Sequence, residues 1–127
     1  MAAAYRGARV MKNVPEYTDG YFNLFYVQED QESDFPEKYL KDAGMKIWFR
    51  ELSVYDRIRF ALNEQGKEVT MKIAIPQFKE IDSNCVVQIA GKFHDIETAA
   101  HIRNRDGFQE TELTLIRPQN NREVRFR

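Results

Sequence analysis

Two histidines, His94 and His101, with Asp95 beside the first, are the residues here most suggestive of chemistry. Imidazole and carboxylate are common zinc ligands when they converge on one point. Their spacing opposes convergence, because on an unbroken strand an odd separation sends the two rings to opposite faces. A bulge near Glu97 is what would restore both to one face. The run Asp30-x-Glu32-x-Asp34 resembles the opening of a calcium loop, but Phe35 stands where that loop needs glycine and Lys41 where it needs a bidentate glutamate. Gly66-Lys67 is followed by Glu68 and lacks the earlier glycine of a phosphate-binding loop. Cys85 is the one cysteine; the sequence sets no histidine beside it, and no G-x-S-x-G occurs. These residues predict no catalytic, cofactor or metal site, and the chain reads as a non-enzyme.

The elements that would position any site are mostly strands. In EVTMKIAIPQF, Val69, Met71, Ile73 and Ile75 alternate with Thr70, Lys72 and Ala74, the pattern of a strand with one buried face. Residues 21–30 are rich in aromatic and β-forming types after the turn-like TDG, and residues 45–52 resume an extended pattern. Between them lie an acidic loop with Pro36 and a weak helical candidate over 37–41, ended by Gly44. Strands are also expected at 68–75, 85–89, 92–103 and 108–116, with turns at Ala90-Gly91 and Asp106-Gly107. Over 53–67 the period changes. Ser53-x-x-Asp56 loosely fits a capping box, Val54, Ile58, Ala61 and Leu62 fall at helical spacing, and Gly66 offers a stop. The predicted fold is mainly β, a small β-barrel or sandwich with one short helix inserted between early strands. Val69, Met71, Ile73, Val87, Ile89, Leu113 and Leu115 should fill it, joined by Trp48 and Phe49.

The 127 residues suit one domain, here residues 21–118, with an N-terminal extension over 1–20 and a basic tail over 119–127. A net charge of −1 argues against a general polyanion binder. A lone cysteine suits a reducing compartment. MAAAYRGARVMKN lacks the apolar stretch of a secretory signal, and no run approaches the roughly 18 apolar residues of a membrane span, so an intracellular product with no membrane partner is expected. Charge is unevenly spread. Arg6, Arg9 and Lys12 make the start basic, and Arg117, Arg122, Arg125 and Arg127 do the same for the end. Glu29, Asp30, Glu32, Asp34, Glu37 and Asp42 outweigh Lys38 and Lys41 in the loop between. These are solvated surfaces or, on a sharper reading, self-complementary ones. On the sharper reading Arg122, Arg125 or Arg127 meets Glu29, Asp30, Glu32 or Asp34 of an adjacent subunit or partner.

Residues 46–60 interleave Trp48, Phe49, Tyr55 and Phe60 with Lys46, Arg50, Arg57 and Arg59, so a barrel that binds single-stranded nucleic acid is the alternative from another functional class. Arg57 and Arg59 are the helical positions left for basic contacts.

The order of MKIWFRELSVYDRIRFAL, GKEVTMKIAIPQFKEIDSNCVVQIAGKFHDI and NRDGFQETELTLIRP resembles the head-tail joining proteins of long-tailed bacteriophages, also called head-completion or stopper proteins. The likeness covers about residues 21–118. It implies a small β-barrel with a helix or loop inserted after an early strand, working as a ring-shaped homo-oligomer, a hexamer or dodecamer. Such a ring lies below the portal and adaptor proteins in the virion, after assembly in the host cytoplasm. It closes the channel on packaged double-stranded DNA and offers a docking surface to a tail-terminator or tail-tube protein. Residues 53–67 correspond to the channel-facing insertion, which makes Arg57, Arg59 and Lys67 the DNA-facing candidates. The alternative is that the helix plugs one end of the barrel through Val54, Ile58 and Leu62. The insertion is shorter than a long flexible loop and helical, and both terminal segments lie outside the match. A tail-completion or minor structural virion protein is the neighbouring reading.

Overall fold

The computed structural model describes residues 14–32, 34, 37–119 and 122–125. Among these described residues seven strands and one helix follow in the order β1 (Gly20–Glu29), β2 (Lys38–Leu52), α1 (Asp56–Glu64), β3 (Val69–Pro76), β4 (Cys85–Ile89), β5 (Lys92–Arg103), β6 (Gln109–Ile116) and β7 (Glu123–Arg125). The strands form one sheet in the order β1-β4-β5-β6-β3-β2-β7, and β1 also pairs with β2, so the sheet returns on itself. Its closure is ring-like and falls short of a regular barrel. At the seam, β2 meets β3 through three register pairs, Arg50↔Ala74 to Leu52↔Lys72. The chain is mainly β, with its short helix between β2 and β3, as the sequence predicts.

Alternation places the core. Ile73, Ile75, Val87, Leu113 and Leu115 are fully buried with Phe22, Leu24, Phe49 and Ile81, while Met71 and Ile89 pack against them from partly buried positions. Burying one such aliphatic or aromatic side chain contributes about 1.5–3 kcal/mol. Phe22 and Phe49 stack at 6.4 Å between ring centroids. Gly20 leaves room for that ring, since a Cβ there would lie 2.8 Å from Phe49 Cζ.

Trp48, expected in the core, is 52% exposed. The reason is parity. Phe49 occupies the inner face opposite Gly20, so the preceding residue must point outward, where it lies across from Tyr21. The helical candidate over 37–41 is likewise overturned, because Tyr39, Leu40 and Lys41 pair with Gln28, Val27 and Tyr26 in the β1–β2 hairpin. Cross-strand pairing outweighs the weak propensity of a few residues. The expected capping box is absent: Tyr55 is the N-cap and no side chain caps the helix. Gly66 does stop it. At φ +77° its N–H reaches Asn63 O and the Lys67 N–H reaches Leu62 O, a Schellman closure.

A second, smaller cluster lies on the opposite face of β1. Phe25, Leu40 and Val86 are buried there, with Val27, Phe93 and Val124 packed against them. Val124 belongs to β7, which runs parallel to β2 through Tyr39↔Glu123, Leu40↔Val124 and Lys41↔Arg125. Residues 123–125 therefore add a strand to the sheet, and Val124 helps to cover apolar surface.

Candidate functional site

The helix α1 has no buried residue. Ile58 and Leu62 are half-buried, Arg57, Arg59, Phe60 and Ala61 are exposed, and the apolar side of the helix faces Lys72, Thr98 and Thr114 across an open groove of about 470 Å3. The expectation that Val54, Ile58 and Leu62 plug one end of the sheet is thus corrected: the helix lies against the outer surface. Its basic residues are engaged unequally. Arg59 Nη1 donates to Val69 O at 3.1 Å, and Lys67 Nζ pairs with Glu97 Oε1 at 3.0 Å. Arg57 makes no ion pair among the described residues. Arg57 borders the groove beside Ile58 and Leu62, whereas Arg59 and Lys67 line a second pocket with Asp56 and Phe60.

One carboxylate of the acidic loop, Asp30, meets the basic tail within the chain. Arg125 Nη1 lies 3.4 Å from Asp30 Oδ2, its Nε 3.4 Å from Glu123 Oε2, and its guanidinium carbon 4.2 Å from the Tyr39 ring centroid. Arg122 Nη1 lies 3.5 Å from Asp95 Oδ1, where Gln119 N also donates to Oδ2. Within the chain, Arg122 and Arg125 thus already have carboxylate partners, because β7 brings the tail alongside β2. Glu29, Glu32 and Asp34 are exposed; Arg127 lies outside the described residues.

His94 and His101 do not converge. The register of β5 against β6 shifts between Ile96 and Thr98, which places a bulge at Glu97, yet each ring has its own partner. His94 Nδ1 shares a 2.8 Å hydrogen bond with Thr70 Oγ1, and His101 Nδ1 one of 2.8 Å with Thr111 Oγ1. Burial, helped by Lys92, holds His94 below the ordinary histidine range. Among the described residues no group of three His, Cys, Asp or Glu side chains could hold a metal ion. Asp30 Oδ1 instead accepts from Glu32 N at 3.0 Å, as an Asx turn does. Burial pushes the Cys85 thiol up, away from thiolate formation.

Sequence reasoning missed Glu110. It is fully buried, and its two oxygens accept from Arg50 Nη2 at 2.7 Å, Arg50 Nε at 3.1 Å, Tyr17 Oη at 2.8 Å and Asn104 Nδ2 at 3.0 Å. Burial raises its pKa, but these donors outweigh burial and hold the carboxyl below its ordinary value. Four donors leave no lone pair aimed at a substrate, so Glu110 is an anchor joining the N-terminal segment, β2, β6 and the turn at Asn104. Its position inside QETELTLI gives no signal of this, since the partners lie far away in sequence.

A third surface is aromatic. Trp48 and Tyr21 lie 5.3 Å apart between centroids on the outside of β1 and β2, with Lys46 Nζ 4.5 Å from the Tyr21 ring. No helix among the described residues is long and apolar enough to cross a membrane. No protein-family model matches the chain, and no curated protein matches it either.

Proposed function

We propose that this chain is a structural subunit of the head-tail connector of a long-tailed phage, one copy in a ring that closes the DNA channel after packaging and receives the tail. The observation that carries the reading is the helix. A sheet paired around its whole circumference does not need α1 for its core, because no residue of α1 is fully buried, yet the chain devotes residues 53–67 to it. An element that adds little to folding and displays Arg57, Arg59 and Lys67 is suited to contact. The family resemblance supplies the kind of contact: packaged double-stranded DNA, held by phosphate interactions without sequence preference. The portal or adaptor proteins on one side and a tail-terminator or tail-tube protein on the other are the remaining partners, in a virion assembled in the bacterial cytoplasm. A tail-completion or minor structural role would use the same surfaces.

One observation favours a second reading. The Trp48–Tyr21 pair with Lys46 offers two exposed rings and a cation on which single-stranded nucleic acid could stack.

Replacing Arg57, Arg59 and Lys67 together by glutamine tests the connector reading. Filled, tail-less heads carrying the triple variant should leak DNA while still incorporating the protein. Full retention would remove these residues from the channel. Incorporation of the wild-type chain into no particle, together with tight binding to oligodeoxythymidine, would replace the connector by the nucleic-acid module.

A further inference from the structure

The helix has two unlike sides. Asp56, Phe60 and Glu64 recur at i, i+4 and i+8, so they form one stripe. Phe60 is 69% exposed, and neither flanking acid has an ion-pair partner among the described residues. On the other side Ile58, Ala61 and Leu62 look onto Thr98 and Thr114 across the open groove, Arg57 stands at its edge, and the other charged residues lining it, Lys72 and Glu97, are paired with Glu112 and Lys67. One side is an aromatic knob between two acids. The other is an apolar slot with a basic edge, roomy for such a knob: a dry cavity of about 150 Å3 already takes benzene, and this groove measures about 470 Å3.

We infer that the Phe60 stripe of one copy docks into the groove beneath α1 of a second copy, with Asp56 or Glu64 meeting Arg57. Charge complementarity selects the occupant, since the groove offers a cation where the stripe offers carboxylates. The consequence is directional. Knob and slot are different surfaces on one subunit, so a single engagement is head-to-tail and leaves one of each free for the next copy. Such a contact extends into a ring or a filament, whereas a reciprocal exchange of both knobs would close a two-fold dimer, and the size of the assembly separates the two. The inference rests on the connector reading for its ring, and it assigns Arg57 to the contact between copies ahead of the DNA path.

Complementary variants test it by sedimentation velocity. Phe60→Ser removes the knob and keeps the slot; Ala61→Arg blocks the slot and keeps the knob. Both positions are exposed, and an unchanged circular-dichroism spectrum confirms folding. The wild-type chain should form species larger than a dimer. Each variant alone should associate about 10- to 100-fold more weakly, the size expected for losing one buried aromatic anchor. An equimolar mixture of the two should give a one-to-one dimer and nothing larger, since one competent contact remains. If either variant fails to fold, Arg57→Glu and the double change Asp56→Arg, Glu64→Arg replace the pair: each alone should fail to associate, and their mixture, in which both contacts are again complementary, should regain the full assembly. A wild-type chain that stays monomeric or stops at a dimer overturns the inference, as does a mixture of either pair that stays monomeric, or a Phe60→Ser and Ala61→Arg mixture that regains the full assembly. DNA retention by heads is measured separately with Arg59→Gln and Lys67→Gln, which leave Arg57 in place, so the connector reading can stand when this contact falls.

Discussion

Phe49 and Trp48 are neighbours in β2 with opposite surroundings, and the difference sets what each is worth. Phe49 is 2% exposed and stacked on Phe22, so Phe49→Ala should cost about 3–5 kcal/mol in urea unfolding. Trp48→Ala, on the outside, should cost less than about 1 kcal/mol. Equal losses would mean that the indole is packed after all. Size alone suggests Trp48 as the heaviest core residue, and the misreading has a definite cause. In KIWFREL both aromatic residues suit either face; the choice belongs to the β1 register, where Gly20 opens the space that Phe49 fills. That pairing spans residues far apart in sequence. The same limit hides Glu110, whose donors come from Tyr17, Arg50 and Asn104.

At the level of elements, β3, β4, β5 and β6 were legible because each carries its own alternation or a glycine turn. Ala90 and Gly91, both at positive φ, close the β4–β5 hairpin as a type I′ turn requires. The strand β7 was not legible. Three residues without a repeating pattern become a strand because β2 offers them an edge. Its role revises what the tail is for. Val124 covers Leu40, and Arg122 and Arg125 each reach a carboxylate of their own chain. A chain ending at Pro118 should remain folded but lose about 1–3 kcal/mol, from one half-buried valine and two partly exposed ion pairs. It should also bind more of a hydrophobic dye as the Phe25–Leu40–Val86 cluster opens. An unchanged unfolding midpoint and unchanged dye binding would show that the tail only lies over the surface. Weakened incorporation into particles would follow from the same loss of shape.

At the scale of the whole molecule, acid should erode stability in two steps. The folded pKa of His94 lies below 6.5, so the unfolded chain takes up its proton first as pH falls. The stability tied to neutral His94 is complete above about pH 6.5 and declines below it. Glu110 also has a lowered folded pKa, from an ordinary value of 4.5. Its contribution is therefore intact above about pH 4.5 and is lost as pH drops through the lower folded value. Because Glu110 ties four segments of a closed sheet, the second step should unfold the domain as a unit. Urea titrations across pH 7.5 to 3 should show both limbs. His94→Gln should flatten the upper one, and Glu110→Gln should flatten the lower one while costing about 1.5–3 kcal/mol at neutral pH for its charged hydrogen bonds. A variant that keeps the wild-type slope in its own window removes that residue from the account.

The outward Trp48 also decides what light can report. It is the one tryptophan of the chain, and it stands beside Tyr21 outside both apolar clusters. With the indole about half exposed, its emission in the folded protein should already lie toward that of a hydrated indole, so fluorescence should give a shallow signal for unfolding. The same placement makes it a built-in probe for anything that settles on the outer face of β1 and β2. A blue shift on mixing with a candidate neighbour would mark that face as covered, with no label attached and no residue changed.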